Sequence, residues 1–341
     1  MNNQMKPQER FSIDQIEEPK DIKAVIAQLM NNPNISPANY FNDFSSDEMA
    51  GDDGETAGFG IYVSDDGSMV SMTTHAYHRS LSKDPELSAE ILISKAFRRM
   101  VCFGARPKVM SAFLYHVDVS DEAGKEIAVG AKRGIDKCAQ LFGVKVADRK
   151  IRFDHFKETG KPTLIITAVG KIEETSKLLT HKFKQKGSNL FVIGESKNDI
   201  NASEYLQFYH RVQNEDFPIF DLNQEEQFHR IMPELIAQDL ISSAIPVGRG
   251  GLFFSLIRAA IPAKLGFDIT TDVEIRSDAF LFGESMGRLI VGVPDDKVVD
   301  FVDYMQTTDM SFFTLGHTTK GEIRIDDESY GFISPHQLPL E

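Results

Sequence analysis

The chain has no tryptophan, only two cysteines among 341 residues, and no long apolar run. Each shortage excludes something. Cys102 and Cys138 are too few for a disulfide scaffold or a thiolate zinc site. Both sit in apolar helical patterns, which predicts reduced, packed thiols. No stretch approaches the roughly 20 apolar residues that span a bilayer. The first ten residues are polar and lead into no apolar segment, so no signal peptide is expected and the expected compartment is the cytoplasm. Positive charge is also short. A net charge of −14 and a pI near 5.1 repel nucleic-acid phosphates and anionic lipid, so neither nucleic acid nor membrane is an expected partner. A small phosphorylated ligand is not excluded, because one local cluster of N–H groups or arginines can bind phosphate against the global charge. Walker loop, dinucleotide fingerprint, Cys-x-x-Cys and nucleophile elbow are all missing, and no zinc, haem or flavin is expected.

What is present is an ordinary globular composition, 41% hydrophobic and 26% charged, with 25 phenylalanines as aromatic bulk. A chain of this length buries a sizeable core as about two domains. Residues 1–56 read as a polar extension. Ile22, Val25, Ile26 and Leu29 recur at helical spacing there and predict one short helix over 21–32. Residues 42–55 read as an acidic loop.

A first lobe spans 57–178. It opens with strands at 58–63 and 68–74 around a Ser64–Gly67 turn, a hairpin. Helices over 86–103 and 123–142 end at Gly104 and Gly143, glycine being a common helix stop. Strands are expected at 108–117 and 162–172. The order β-β-α-β-α-β describes an α/β (α+β) unit with a four-stranded sheet. Residues 178–186, with four lysines and His181, read as a solvated connector. A second α/β lobe spans 187–331, with strands at 188–194, 289–293, 311–316 and 322–325 and helices at 224–239, 250–260 and 296–305. Residues 332–341 read as a loose tail.

Four segments carry candidate chemistry. Gly248, Gly250 and Gly251 surround Arg249 at the start of an apolar helix, where free N–H groups and the helix dipole favour an anion. Arg249 can add a bidentate contact. The alternative is a close helix–strand approach that only glycine permits. Glu284 and Arg288 stand before a strand, placed to hold a ligand or metal, or to pair with each other between lobes. His75 and His78, beside Arg79 at the end of the second strand, are the catalytic candidates, able to handle a phosphate or a proton; packed or surface histidines are the plainer reading. Gly194 closes an apolar strand as at an α/β ligand loop, and Ser203 can cap the helix after it. No metal ligand set is assigned.

Taken in order and spacing, six pieces resemble the phosphoribosylformylglycinamidine synthase family, in the superfamily of aminoimidazole ribonucleotide synthase. They are Ala-Gly-Phe-Gly-Ile-Tyr-Val (57–63), Phe-Gly-Ala-Arg-Pro (103–107), Ala-Ser-Glu-Tyr-Leu (202–206), the Ser-Ser-Ala to Gly-Gly-Leu stretch (242–252), Gly-Glu-Ser-Met-Gly-Arg (283–288) and Leu-Gly-His-Thr-Thr-Lys-Gly-Glu-Ile-Arg-Ile (315–325). The resemblance covers about 57–331 and is stronger to the second of the two halves that such synthases contain.

It implies a two-lobed fold whose first sheet pairs with a partner sheet to close a barrel, with active sites between lobes and across that pairing. It therefore implies a homodimer or a complex with a separate catalytic half. It also implies ATP-dependent amidation of formylglycinamide ribonucleotide in purine biosynthesis, with ATP and Mg²⁺ as cofactors and ammonia from elsewhere. Departures point to an alternative, a degenerate half acting as a structural or partner subunit, or a superfamily member with another small phosphorylated substrate. Arg249 stands where family catalytic halves carry an acid before Gly-Gly-Leu, Ile245-Pro246 replaces a polar pair, and Glu195–Asp199 replaces a Gly-rich ATP loop.

Overall fold

The computed structural model describes residues 11–36, 59–153 (except 64, 66 and 67), 160–172, 178–214 and 216–333. The acidic loop at 42–55, most of the Ser64–Gly67 turn and the tail after 333 lie outside the described residues.

The first sheet begins with the expected hairpin, β1 (Phe59–Val63) antiparallel to β2 (Met69–Tyr77). Helix α2 (Pro85–Cys102) starts where Asp84 accepts a hydrogen bond from the Leu87 N–H and Pro85 fills the first turn, two strong helix-start signals. The short α1 precedes it in sequence at Ile22–Leu29, capped by Asp21. After α2 come β3 (Ala105–Tyr115), α3 (Glu122–Phe142), β4 (Lys145–Arg152) and β5 (Thr163–Ile172). Helix α3 stops at Gly143 in the left-handed conformation, φ 64°, as its sequence predicts.

The strand order is β1-β2-β5-β3-β4. The sheet therefore has five strands, not the expected four. The added strand, β4, runs parallel to β3 at the edge. Its sequence, Lys-Val-Ala-Asp-Arg-Lys-Ile-Arg, carries too much charge to read as a strand. Charge is how exposed edges are blunted against unwanted pairing. Helices α2 and α3 cover the inner face. The other face carries Tyr62, 67% exposed, and Met72, 52% exposed, beside half-buried Val70, Phe113 and Ile165, an apolar surface on a wide sheet.

The second sheet has seven strands, ordered β12-β11-β8-β10-β6-β9-β7. These are β6 (Asn189–Ile193), β7 (Ser243–Pro246), β8 (Gly266–Ile269), β9 (Leu289–Val293), β10 (Phe312–Thr319), β11 (Glu322–Ile325) and β12 (Glu328–Phe332). Helices α4 (Leu222–Ala237), α5 (Gly251–Ala263), α6 (Ser277–Phe282) and α7 (Val298–Gln306) complete the lobe. The four-residue strands β7 and β8 and the six-residue α6 are too short to show a period, which is why the sequence pattern does not reveal them.

Two sequence expectations change. The N-terminal helix is not an appendage: Val25, Ile26 and Leu29 are buried in the same core cluster as Leu252 and Phe282 of the second lobe. The stretch 178–186 is not a solvated connector either. Leu179, His181 and Phe183 alternate inward, and the His181 ring bonds the Ala244 carbonyl at 2.7 Å. The lysines between them face outward, so a strand-like alternation hides under a basic composition.

Candidate active site between the lobes

Helix α2 is the element that joins the lobes. Fourteen of its 18 residues are buried, so it packs on all sides: against the first sheet, against α3, and against the second lobe through Val101 and Cys102. Burial all round is ordinary for an apolar helix. Here it carries three cations, Lys95, Arg98 and Arg99, whose i, i+3, i+4 spacing puts them on one face.

Those cations form a wall of a cavity of about 570 Å³. The end of β2 supplies His75, and the turn after it His78 and Arg79. The second lobe supplies Glu204, Gly248, Arg249 and Glu284. Of the residues singled out by sequence, His75, His78, Gly248, Arg249 and Glu284 meet here. Lys95, Arg98 and Arg99 were not recognisable one at a time as site residues. The available signal was a cationic stripe inside an otherwise apolar helix.

The wall is ordered by specific bonds. Arg98 donates to Glu225 Oε1 at 2.7 Å, and the Gly287 N–H donates to the same oxygen at 3.0 Å. Burial raises the Glu225 carboxyl pKa, against the opposing pull of Arg98. Arg79 donates to Glu204 Oε1 at 2.8 Å, while Asn32 and Asn34 donate to Oε2 at 2.9 and 3.1 Å. The segment after α1 therefore reaches the cavity rim. Burial lowers the His78 pKa, helped by Arg79, Lys161 and Arg249. Burial also lowers the Lys95 ammonium to about 8, with Glu284 opposing and Arg98, Arg249 and Arg79 adding to the fall.

The glycine loop is the largest revision. Its N–H groups do not face an open anion site. Gly248 N–H donates to Ser255 Oγ at 3.3 Å, Gly251 N–H to the Gly248 carbonyl at 2.9 Å, and Gly250 N–H to Glu284 Oε1 at 2.8 Å. The same Glu284 oxygen accepts the Glu204 N–H at 2.8 Å. The chain thus supplies its own carboxylate at the start of α5, where the helix dipole favours one. Burial pushes that carboxyl pKa upward. Arg258 donates to the Arg249 carbonyl at 3.0 Å, holding the loop so that the Arg249 side chain stands exposed at the cavity mouth.

The remaining candidates lie behind the wall. Arg288 is fully buried and donates to the Gly283 and Phe280 carbonyls at 2.7 and 3.4 Å and to Ser196 Oγ at 3.1 Å. Glu284 and Arg288 make no hydrogen bond or ion pair with each other. Gly194 adopts φ 101°, and a Cβ there would meet the Gly287 carbonyl oxygen at 1.8 Å, so it permits close packing of two chains. The Ser203 hydroxyl donates to the Ile200 carbonyl and accepts from the Leu206 N–H at 3.1 Å. It caps a single π-turn over Tyr205–Tyr209 rather than a long helix. A wider groove of about 1050 Å³ adjoins the cavity and shares His78, Arg79 and Glu204 with it.

Against this geometry, the comparisons are specific. Residues 54–172 match the N-terminal domain model of AIR synthase related proteins and 185–327 match the C-terminal one. A subunit named phosphoribosylformylglycinamidine synthase subunit PurL, from Caldanaerobacter subterraneus, is 25% identical over 340 residues, 97% of this chain and 46% of its own. The chain thus spans about half the length of the curated relatives it matches. Among solved structures, Thermotoga maritima PurL complexed with FGAR aligns over 94% of this chain and 53% of its own, with TM-score 0.74 and 14% identity. The same organism's PurLQS structure aligns over 94% and 52%, with TM-score 0.71 and 15% identity. At such identities the structures speak for the fold. With both domain models matched in order across most of its length, the chain belongs to the AIR synthase related family.

Proposed function

We propose that this chain works in purine biosynthesis as a PurL-like half that binds a small phosphorylated metabolite between its lobes and completes a barrel with a second synthase-like half. The observation that carries the reading is the cationic cavity: an acidic chain of net charge −14 gathers Lys95, Arg98, Arg99, Arg79 and Arg249 around one space. Local charge of that sign, with about 570 Å³ of room, suits a phosphorylated metabolite in a pocket of the usual small-molecule size, about 300–1,000 Å³. His75 and His78 stand within it as proton-handling groups.

The apolar face of the first sheet supports the partner. Tyr62, Met72, Phe113 and Ile165 on one wide face need a cover, and a second sheet of the same kind supplies one. A second copy of the chain and a separately encoded catalytic half are the two candidates; light scattering on the purified chain separates them, a monomer ruling out the first. We place the chain in the cytoplasm, in keeping with the absence of a membrane-crossing helix among the described residues.

We read the chain as a binding and assembling half rather than an independent ligase, because Arg249 fills the loop position where the resemblance expects an acid. Thermal unfolding with Mg-ATP, Mg-ADP and phosphate tests this. A ligand at 100 times its Kd stabilises by about 2.7 kcal/mol, several degrees for a protein of this size. A shift with phosphate or nucleotide and no ATP turnover fits the reading. ATP turnover by the chain alone overturns it in favour of ATP-dependent amidation.

A further inference from the structure

The resemblance brings Mg²⁺ with ATP, and the donors around the cavity do not fit that ion. Mg²⁺ takes oxygen ligands in a near-octahedral shell, commonly one or two carboxylates with waters and phosphates. The cavity offers two carboxylates. Both Glu204 oxygens already accept, one from Arg79 and the other from Asn32 and Asn34. Glu284 Oε1 accepts from two backbone N–H groups. The neighbours are cations that repel a metal. Among the described residues no group of three His, Cys, Asp or Glu converges on one point.

Two cations in the same cavity are uncommitted. Neither the Lys95 ammonium on α2 nor the Arg249 guanidinium on the opposite lobe makes a hydrogen bond to another described residue. Each lies close enough for its charge to act on the other, since Arg249 contributes to the lowered Lys95 pKa. Two like charges facing one space repel, and an anion between them relieves the repulsion. A phosphate group also accepts from a compact ammonium and a planar guanidinium in different ways, one as a point charge and one as a fork.

We propose that the interlobe cavity is a metal-independent phosphate site, in which Lys95 and Arg249 together neutralise the phosphate monoester of a small metabolite in place of a divalent cation. The inference rests on the reading of this cavity as a site for a phosphorylated metabolite. It adds that the site works without metal and that its charge comes from both lobes, so a bound phosphate ties α2 to the start of α5.

The test is isothermal titration calorimetry of the full chain with inorganic phosphate and with ribose 5-phosphate, each in EDTA and in MgCl₂. Saturable binding in EDTA, little changed by Mg²⁺, is expected. Lys95→Met should weaken it by about 10-fold, the scale of one charge-assisted contact. Arg249→Ala should weaken it similarly. Because Arg249 is exposed, that variant should keep the melting temperature, which separates loss of the site from loss of the fold. Binding that requires Mg²⁺ overturns the metal-independent site and leaves the phosphorylated-metabolite reading standing. Binding in EDTA that both variants leave unchanged overturns the assignment to these two residues. Absence of binding in either buffer overturns both the inference and the reading beneath it.

Discussion

Helices α2 and α3 lie against each other under the same sheet, 18 and 21 residues long, yet they live in different media. In α3 seven residues are buried, Gly124, Ile127, Gly130, Ala131, Gly134, Ile135 and Cys138, one narrow stripe with water opposite. In α2 only a few positions reach water, and its cations must find partners or a cavity. The contrast shows why the same residue types mean different things. Lys132 on α3 pairs with Asp136 one turn on, both well exposed, a contact worth a few tenths of a kcal/mol. Arg98 on α2 pairs with Glu225 where both are almost fully buried, and neither can be left alone.

Breaking that pair should give the largest effect. Glu225→Ala strands a buried guanidinium and should cost about 3–5 kcal/mol, read as a lower denaturant midpoint. Next comes the contact between the two helices. A Cβ on Gly134 would stand 2.3 Å from the Glu86 carbonyl oxygen and 2.9 Å from Ala89 Cβ. Gly134→Val should therefore cost about 1–3 kcal/mol by overpacking, where a glycine-to-larger change in an exposed helix would ordinarily help. His229 of α4 touches both helices through Phe97 and Phe142, and burial lowers its pKa from 6.5 to about 3. The unfolded chain takes up that proton below 6.5 while the folded one does not, so stability should fall as pH drops from 6.5 towards 3. A pH series of melting temperatures should show this acid limb, and His229→Phe should flatten it. The smallest effect belongs to the outer helix: Lys132→Ala should move stability by less than about 0.5 kcal/mol.

The same contrast explains what could be read in advance. One-sided helices announce themselves, so α1, α3 and α4 appeared in the pattern with caps at Asp21, Asp121 and Asp221. The polar edge strand β4 did not, because its charges face solvent on an edge and no buried period remains. The 178–186 stretch misled in the opposite direction, its lysines masking Leu179, His181 and Phe183. At the site, His75, His78, Gly248, Arg249 and Glu284 were legible because turns and glycine loops stand out. Lys95, Arg98 and Arg99 were not, since a cation in a helix normally means a wet face. Which N–H groups of the glycine loop remain open is a matter of tertiary approach. Glu284 reaches Gly250 across 34 residues, and no local pattern encodes that.

The two thiols close the account of the first lobe in practical terms. Cys102 and Cys138 are both free and have no exposed surface, and burial pushes the Cys138 thiol strongly upward. A thiol-specific reagent therefore has nothing to attack in the folded chain. Cys102 lies where α2 meets the second lobe, and Cys138 lies on the buried stripe of α3. Under alkylation each becomes a clock for a different event, separation of the lobes for one and lifting of a helix from its sheet for the other. The native chain thus carries two built-in probes that need no engineered label.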